Sequence, residues 1–376
     1  MNGSVKGSRG NWSFVFDLPQ VDGKRRQVYR RGFATKRKAE EEMRNLMTEA
    51  KGGMMVAPTR LTVGQYLTEH WLPVVENRVR PGTIDSYRKI VSRRIVPKIG
   101  GAELQLLDEP TVERWVAGLS SAGLSAKTVR NAHGVLSTAL RDALRLRLVS
   151  RNVATAAQLP RLDRRAPRAW NTDEIRRFLL HVQTDRWSPM WRLFATTGVR
   201  RGEALGLRWK DVDLDAGVIA IANTRTVVTG QVVSGPPKTR AGERTIAIDG
   251  GTIAALRAWK KVQNGERLAM GPDWPETDII FTWPDGRPLY PQGVTKWFRA
   301  LAAELGLSQI GVHGLRHTAA TWMIATGVSP KLVAERMGHS NVSVTLSLYS
   351  HVLPGHDREA AEALAAAFDS PAVSNR

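Results

Sequence analysis

The sequence predicts a mainly α protein with small β-sheets, an α+β chain in three parts, on three observations. Apolar and polar residues alternate on both sides of an Asp-Gly pair near the N-terminus. Helical periodicity then holds from about residue 61 to 148. Beyond a basic, proline-punctuated linker, helical segments bracket a run of short strand-like stretches.

In the first part, Trp12-Ser13-Phe14-Val15-Phe16-Asp17-Leu18 alternates with the period of a strand. Asp22-Gly23 favours a tight hairpin turn, and a strongly basic strand returns through Lys24 to Phe33. A helix is expected from about Lys36 to Ala50 with Thr35 as its N-cap, ending at Lys51-Gly52-Gly53. The second part holds four helices. The first is capped by Thr62 and carries Val63, Tyr66, Leu67, His70 and Trp71; the second starts at Pro81 and Thr83; the third opens at Pro110-Thr111 with Val112, Trp115 and Leu119 on one face. The fourth runs from Ser125 to about Leu148, with Val129, Ala132, Val135, Leu136, Leu140 and Leu144 expected to face inward. The linker is Leu159 to Arg168. After it come helices near Thr172–Val182 and Met190–Thr197, strand-like runs at Val218–Ala222, Arg225–Val228 and Arg244–Ile248, and helices again, the last at Arg358–Phe368. The expected boundaries are 1–55, 60–158 and 168–376.

Composition narrows the function. Lys+Arg 55 against Asp+Glu 35 gives a net charge of +20, the electrostatic footprint of a polyanion partner. A membrane surface would call for a basic amphipathic helix or a lipid anchor, and neither is present in the sequence. The first residues lack the apolar core of a signal peptide, no apolar run is long enough for a bilayer, and the chain has no cysteine. Disulfides, thiolate metal ligands and a cysteine nucleophile are thereby excluded, and a cytoplasmic location is expected.

Four motifs in the last part carry chemistry: Thr197-Gly198-Val199-Arg200, Pro237-Lys238-Thr239-Arg240, His313-Gly314-Leu315-Arg316-His317, and Gly338-His339 followed by Leu348-Tyr349-Ser350-His351. Attack on a phosphodiester needs a nucleophile, a proton acceptor, a donor for the leaving oxygen, and positive charge for the non-bridging oxygens. Arginine suits the last task because its planar fork grips two phosphate oxygens and keeps its charge. Arg200 and Arg316 could clamp the phosphate, Tyr349 attack it, His313 and His339 assist the phenol, and Lys238 protonate the leaving 5′-oxygen. Each motif alone has a plainer reading: a helix-start loop around Arg200, a solvated hairpin tip at Lys238, a surface tyrosine at 349. The i, i+4 spacing of His313 and His317 fits a metal face poorly, since Gly314 stands where a zinc peptidase needs its glutamate and Arg316 adds a positive charge. The ordered set is what carries the phosphodiester reading.

That set resembles the tyrosine recombinase family, of the kind used as phage-type integrases. Thr197-Gly198-x-Arg200-x-Gly202-Glu203 resembles the family's first arginine box, Lys238 its β-hairpin lysine, His313-x-x-Arg316-His317 its second box, and Met337-Gly338-His339 its Leu-Gly-His, ten residues before Tyr349. The resemblance implies an arm-site-binding domain, a helical core-site-binding domain and a catalytic domain. It implies a site of Arg200, Lys238, His313, Arg316, His339 and Tyr349, with Glu203 orienting Arg200 or its neighbours, that forms a 3′-phosphotyrosine and exchanges strands through a Holliday junction. No metal, nucleotide or redox cofactor is called for. The implied partners are double-stranded DNA at core and arm sites, three further copies of the chain, a host DNA-bending factor and an excisionase. Lys24, Arg25, Arg26, Arg30 and Arg31 in the basic hairpin, and Arg88, Lys127 and Arg130 on the helices, are the candidate DNA contacts outside the catalytic site. The rivals are a Xer-like dimer resolvase, disfavoured by the extra basic part before residue 60, a type IB topoisomerase, and a non-catalytic DNA-binding regulator.

Overall fold

The computed structural model describes residues 3–8, 10–21, 24–51, 59–162, 168–237 and 239–349; for 18–21, 24–26, 49–51, 240, 344 and 347–349 it describes the backbone alone. The chain divides into two compact units, Met1–Asp163 and Arg164–Arg376.

The first unit opens with a three-stranded antiparallel sheet, β1 (Gly3–Ser8), β2 (Asn11–Val21) and β3 (Lys24–Phe33), followed by α1 (Lys36–Lys51). Phe14, Phe16 and Val28 form a small core with Ala39 of α1, and Thr35 accepts a hydrogen bond from the Lys38 amide as its N-cap. The strand β1 was not foreseen. Its Gly-Ser-Val-Lys-Gly-Ser is short of apolar residues, and pairing with β2 in full register defines it rather than its own pattern.

The helical part of this unit has a separate core. Its first helix begins as α2 (Val63–Gln65), capped by Thr62 in a reciprocal box with Gln65, widens to π geometry over Tyr66–Trp71 and narrows again as α3 (Leu72–Glu76). The same happens in α4 (Pro81–Ile90), a π segment Val91–Ile95 and α5 (Val96–Ile99). In both cases a proline, Pro73 or Pro97, sits just past the widened turn. Proline has no amide proton and its ring crowds the preceding turn, so the extra residue keeps the helix running where an α turn would break. The unit is completed by α6 (Glu109–Ser121) and α7 (Ala126–Arg145). The Tyr66 hydroxyl donates to the Ala139 carbonyl at 2.9 Å and the Trp71 indole to Asp142 at 3.0 Å, fastening α7 to the first helix. Leu144 does not face inward as expected: it is 40% exposed, and Ala143 takes the buried position at the end of the stripe.

In the second unit, α8 (Thr172–His181) and α9 (Ser188–Thr197) pack Phe178, Trp191 and Phe194 against Trp170 and Phe298. The helix α10 (Arg201–Gly206) follows, then a sheet of β4 (Val212–Asp213), β5 (Val218–Ile221) and β8 (Arg244–Ala247) with β5 central, and a separate hairpin of β6 (Thr224–Val228) and β7 (Gln231–Gly235). Five helices close the described part: α11 (Gly250–Met270), α12 (Pro291–Glu304), α13 (Val312–Ala325), α14 (Pro330–Met337) and α15 (Val342–Tyr349). The expected helix at Arg358–Phe368 lies outside the described residues. No described helix is long and apolar enough to cross a membrane.

Candidate active site

Two glycine helix caps organise the site. Gly198 ends α9 and Gly338 ends α14, both left-handed, with φ of 65° and 63°. Glycine adopts this conformation without steric cost, and neither site has room for a side chain. A Cβ on Gly198 would lie 2.5 Å from Met337 Cε, and one on Gly338 would lie 2.8 Å from the Ala241 carbonyl oxygen. These caps point backbone carbonyls at the two arginines. Arg316, on α13 and 3% exposed, donates from Nη1 to the Gly198 carbonyl at 2.9 Å and from Nη2 to the Met337 carbonyl. Arg200, the N-cap of α10, donates from Nη2 to the Gly338 carbonyl at 3.0 Å and from Nη1 to Glu203 Oε1 at 2.7 Å. Carbonyl-rich helix C-termini favour cations, so both guanidiniums are held where positive charge is already stabilised. The Arg200 side chain remains 38% exposed and faces a cleft of about 470 Å³ that Thr226, Thr239, Gly338 and His339 also line.

Glu203 is 3% exposed and accepts from the Arg200 amide at 2.9 Å as well as from its guanidinium. Burial raises its carboxyl, but hydrogen bonds and charge from Arg244, and then the bonds from Arg200, outweigh burial and hold it below the usual carboxylate range. The first turn of α13 carries His313, whose ring meets that of His317 edge-on at 4.8 Å. Just past α14, His339 shares a 2.8 Å hydrogen bond through Nδ1 with the hydroxyl of buried Thr345. Thr345 lies one turn before Tyr349, the last residue of α15, so this bond ties the histidine to the helix that ends in the tyrosine. Lys238 lies outside the described residues, between Pro237 and Thr239, which line the cleft.

Burial, then the charges of His317, Arg316 and Arg200, lower His313 to about 4; burial, then Arg316, Arg200, His317 and Arg244, lower His339 to about 4. His313 keeps an open face to solvent, so the surrounding positive charge is the firmer cause there. Both imidazoles are neutral at pH 7 and able to accept a proton. Below the ordinary histidine value of 6.5 the unfolded chain binds protons that the folded chain refuses until about pH 4. Stability should therefore fall as pH drops through that window. The melting temperature is expected to be several degrees lower at pH 5 than at pH 7.5, and the double variant His313→Gln, His339→Gln to lose part of that slope. Equal slopes in parent and variant would show that these two groups are not its source.

Sequence reasoning missed two residues of this centre, Arg244 and Thr345. Arg244 gave one weak signal, a charge at the start of an otherwise apolar strand run. Thr345 gave none. Among the described residues no group of three His, Asp or Glu side chains could hold a metal ion.

A model of the phage integrase family matches residues 170–356, a span that contains every group just described. The chain belongs to that family. Its catalytic domain is that of a tyrosine recombinase, which cleaves and rejoins DNA. Models of an arm DNA-binding domain and of the N-terminal SAM-like domain of phage integrases match residues 4–50 and 63–120. The recombinase is 24% identical over 350 residues to a XerC-like tyrosine recombinase of Caldanaerobacter subterraneus, covering 88% of this chain and 89% of that protein. It is 26% identical over 352 residues to an integrase of Streptomyces ambofaciens, covering 91% and 89%. With the ICEBs1 integrase of Bacillus subtilis it shares 25% identity over 287 residues, covering 76% and 78%. Among solved structures it shares its fold with the Tn1549 transposon integrase in complex with a circular intermediate DNA, at a TM-score of 0.70 and 22% identity over 81% of this chain and 99% of that one. It also shares its fold with the lambda integrase dimer bound to a COC′ core site, at 0.58 and 17% over 90% and 92%.

The recombinase places the candidate DNA contacts outside this centre unevenly. Lys24, Arg25 and Arg26 lie at the start of β3. Register separates the next two: Arg30 pairs with Phe14 on the face that α1 covers, whereas Arg31 pairs with Ser13 on the opposite face beside Tyr29, which is 60% exposed. Arg88 is ion-paired with Glu76 at 2.7 Å, and Arg130 donates to the Pro160 carbonyl at 3.1 Å. Lys127 lies in the first turn of α7.

Proposed function

We propose that this recombinase is the integrase of a phage or other mobile element, which integrates and excises it at a core site with help from distal arm sites. The observation that carries the catalytic reading is one cleft lined by Arg200, Glu203 and His339, with buried Arg316 bonded to the two helix ends behind it and His339 tied through Thr345 to the helix that ends in Tyr349. In this reading the Tyr349 phenol attacks the scissile phosphorus and gives its proton to a neutral imidazole, His313 or His339. The bond from phosphorus to O5′ breaks, Lys238 protonates the departing O5′, and a 3′-phosphotyrosine remains. Arg200 and Arg316 neutralise the charge that builds on the non-bridging oxygens, the part played elsewhere by a divalent cation. The 5′-hydroxyl of a partner duplex then attacks the phosphotyrosine, exchanging strands through a Holliday junction within a tetramer, in the host cytoplasm.

The division of labour follows the expected parts: 1–55 for arm sites, 60–158 and 168–376 for the core site and the chemistry. Relatives named as integrases support this, and so does the arm-domain match at 4–50. A Xer-type resolvase is the second reading, favoured by the XerC-like relative. A host DNA-bending factor and an excisionase complete the proposed set of partners.

The test is to map the covalent link. The recombinase is incubated with nicked duplexes carrying the core site taken from DNA flanking its gene, the adduct is digested with trypsin, and the DNA-linked peptide is sequenced. The expected product is peptide 337–358, in which Tyr349 is the only one of the chain's five tyrosines, joined to a 3′-phosphate. Linkage through any other tyrosine, or to a 5′-phosphate, would overturn the assignment.

A further inference from the structure

Arg244 stands at the meeting point of three segments. It is the first residue of β8, and its side chain is 8% exposed. Its Nη1 and Nη2 reach the two oxygens of Glu203 at 3.3 and 3.0 Å, Nη1 also donates to the Gly242 carbonyl at 3.0 Å, and Nε donates to the Arg336 carbonyl at 2.6 Å. The Arg336 carbonyl belongs to the last turn of α14, directly before the Gly338 cap, and a Cβ on Gly338 would lie 2.9 Å from Arg244 Nη1. The same guanidinium thus grips the carboxylate that holds Arg200 and the helix end whose Gly338 carbonyl takes the other Arg200 bond.

Charge makes this arrangement more than a structural tie. Glu203 carries one negative charge and is bonded by two guanidiniums, Arg200 and Arg244. The trio therefore holds a surplus of one positive charge, and the exposed member is Arg200, on the cleft. Without Arg244 the carboxylate would cancel Arg200 and draw its fork inward. A phosphate in the cleft would then meet a neutral pair in place of a cation, at short range and in a partly buried site where such a difference is large.

We propose that Arg244 is a positioning residue for DNA cleavage: it takes up the charge of Glu203 so that Arg200 presents an uncancelled cation to the scissile phosphate. This rests on the reading of Arg200 as a phosphate clamp. The experiment measures single-turnover adduct formation at saturating recombinase on two nicked core duplexes, one with a normal scissile phosphate and one with a methylphosphonate there. The methylphosphonate has a methyl group in place of one non-bridging oxygen and carries no charge. The readout is the ratio of the two rates, from which the fraction of folded enzyme cancels.

Arg244→Gln should slow the phosphate substrate by about 100-fold, the scale for losing one electrostatic contact to a reacting oxyanion, with DNA affinity little changed. On the neutral substrate it should stay within about threefold of the parent. Adding Glu203→Gln removes the carboxylate as well, restores the surplus charge, leaves no buried ion unpaired, and should recover at least about tenfold on the phosphate. Because that double variant keeps its buried charges balanced, it is also the variant to use if Arg244→Gln does not accumulate folded; the proposal then requires a phosphate rate within about tenfold of the parent, and a ratio shifted against the phosphate overturns it. Equal slowing of both substrates by Arg244→Gln, with no recovery on adding Glu203→Gln, would reduce Arg244 to a purely structural part and overturn the proposal. Arg200→Ala is run beside them. If it slows phosphate cleavage while Arg244→Gln does not, the inference fails alone; if Arg200→Ala has no effect, the clamp reading fails with it.

Discussion

Tyr349→Phe is expected to bind core-site DNA with parental affinity and to form no SDS-resistant adduct, a fall of at least about 10⁴-fold in the rate of covalent capture. The substitution removes one oxygen, and phenylalanine has no group that can attack phosphorus. The rest of the ring is retained, and the neighbouring tie between His339 and Thr345 does not involve it. The loss should therefore appear wholly in chemistry. Gel-shift affinity and denaturing-gel capture on the same nicked duplex separate the two quantities. Adduct persisting in the variant would place the nucleophile elsewhere. Affinity lost together with the adduct would make Tyr349 a binding residue.

Arg316→Ala should cut single-turnover cleavage by about 10³-fold or more and lower the melting temperature as well. Both losses come from the same geometry. The guanidinium is buried and donates to the Gly198 and Met337 carbonyls, so truncation leaves two buried acceptors without their partner, at about 1–3 kcal/mol each. It also removes the cation proposed to face the phosphate. Arg316→Lys decides between charge and shape. An ammonium is a point charge on a flexible stem and cannot span both carbonyls as the planar fork does. It should recover part of the stability and little of the rate, leaving cleavage about 10²-fold below the parent. A lysine variant that cuts at the parental rate would show that charge alone suffices and that the paired carbonyls do not set the geometry.

The parts of this molecule that were legible in the sequence are those where one residue type answers one physical need. Gly198 and Gly338 sat in motifs, and each proves to be a left-handed helix cap pressed against a neighbour, where no other residue fits. Ser125, Thr62 and Thr35 announced helix starts and serve there as caps. The alternation from Trp12 marked β2 because every second side chain enters a core. What stayed hidden depends on partners distant in sequence. Arg244 matters through Glu203, 41 residues away, and no local pattern records that bond. Thr345 acquires its role only because α14 delivers His339 beside it. The π turns were hidden as well, since Pro73 and Pro97 read as helix breaks and the chain instead absorbs each with a wider turn. Leu144 went wrong for a simpler reason: extending a helical stripe to its last turn overlooks the end of the surface it packs on.

The bonds that fix the two arginines have a consequence for how the molecule comes into being. Arg316 reaches back 118 residues to Gly198, and Arg200 reaches forward 138 residues to Gly338. Contacts of such separation form late, after the local helices and hairpins. During synthesis the first unit, through Asp163, is made 175 residues before Gly338, and domains generally fold as they emerge. The proposed cleavage centre closes only once Gly338 and the helix after it have followed. If Arg200, Arg316 and Tyr349 cleave DNA as proposed, a nascent chain completes the part matched by the arm DNA-binding model well before it can cut, and a transcript broken off before Gly338 should encode a DNA binder that does not cleave.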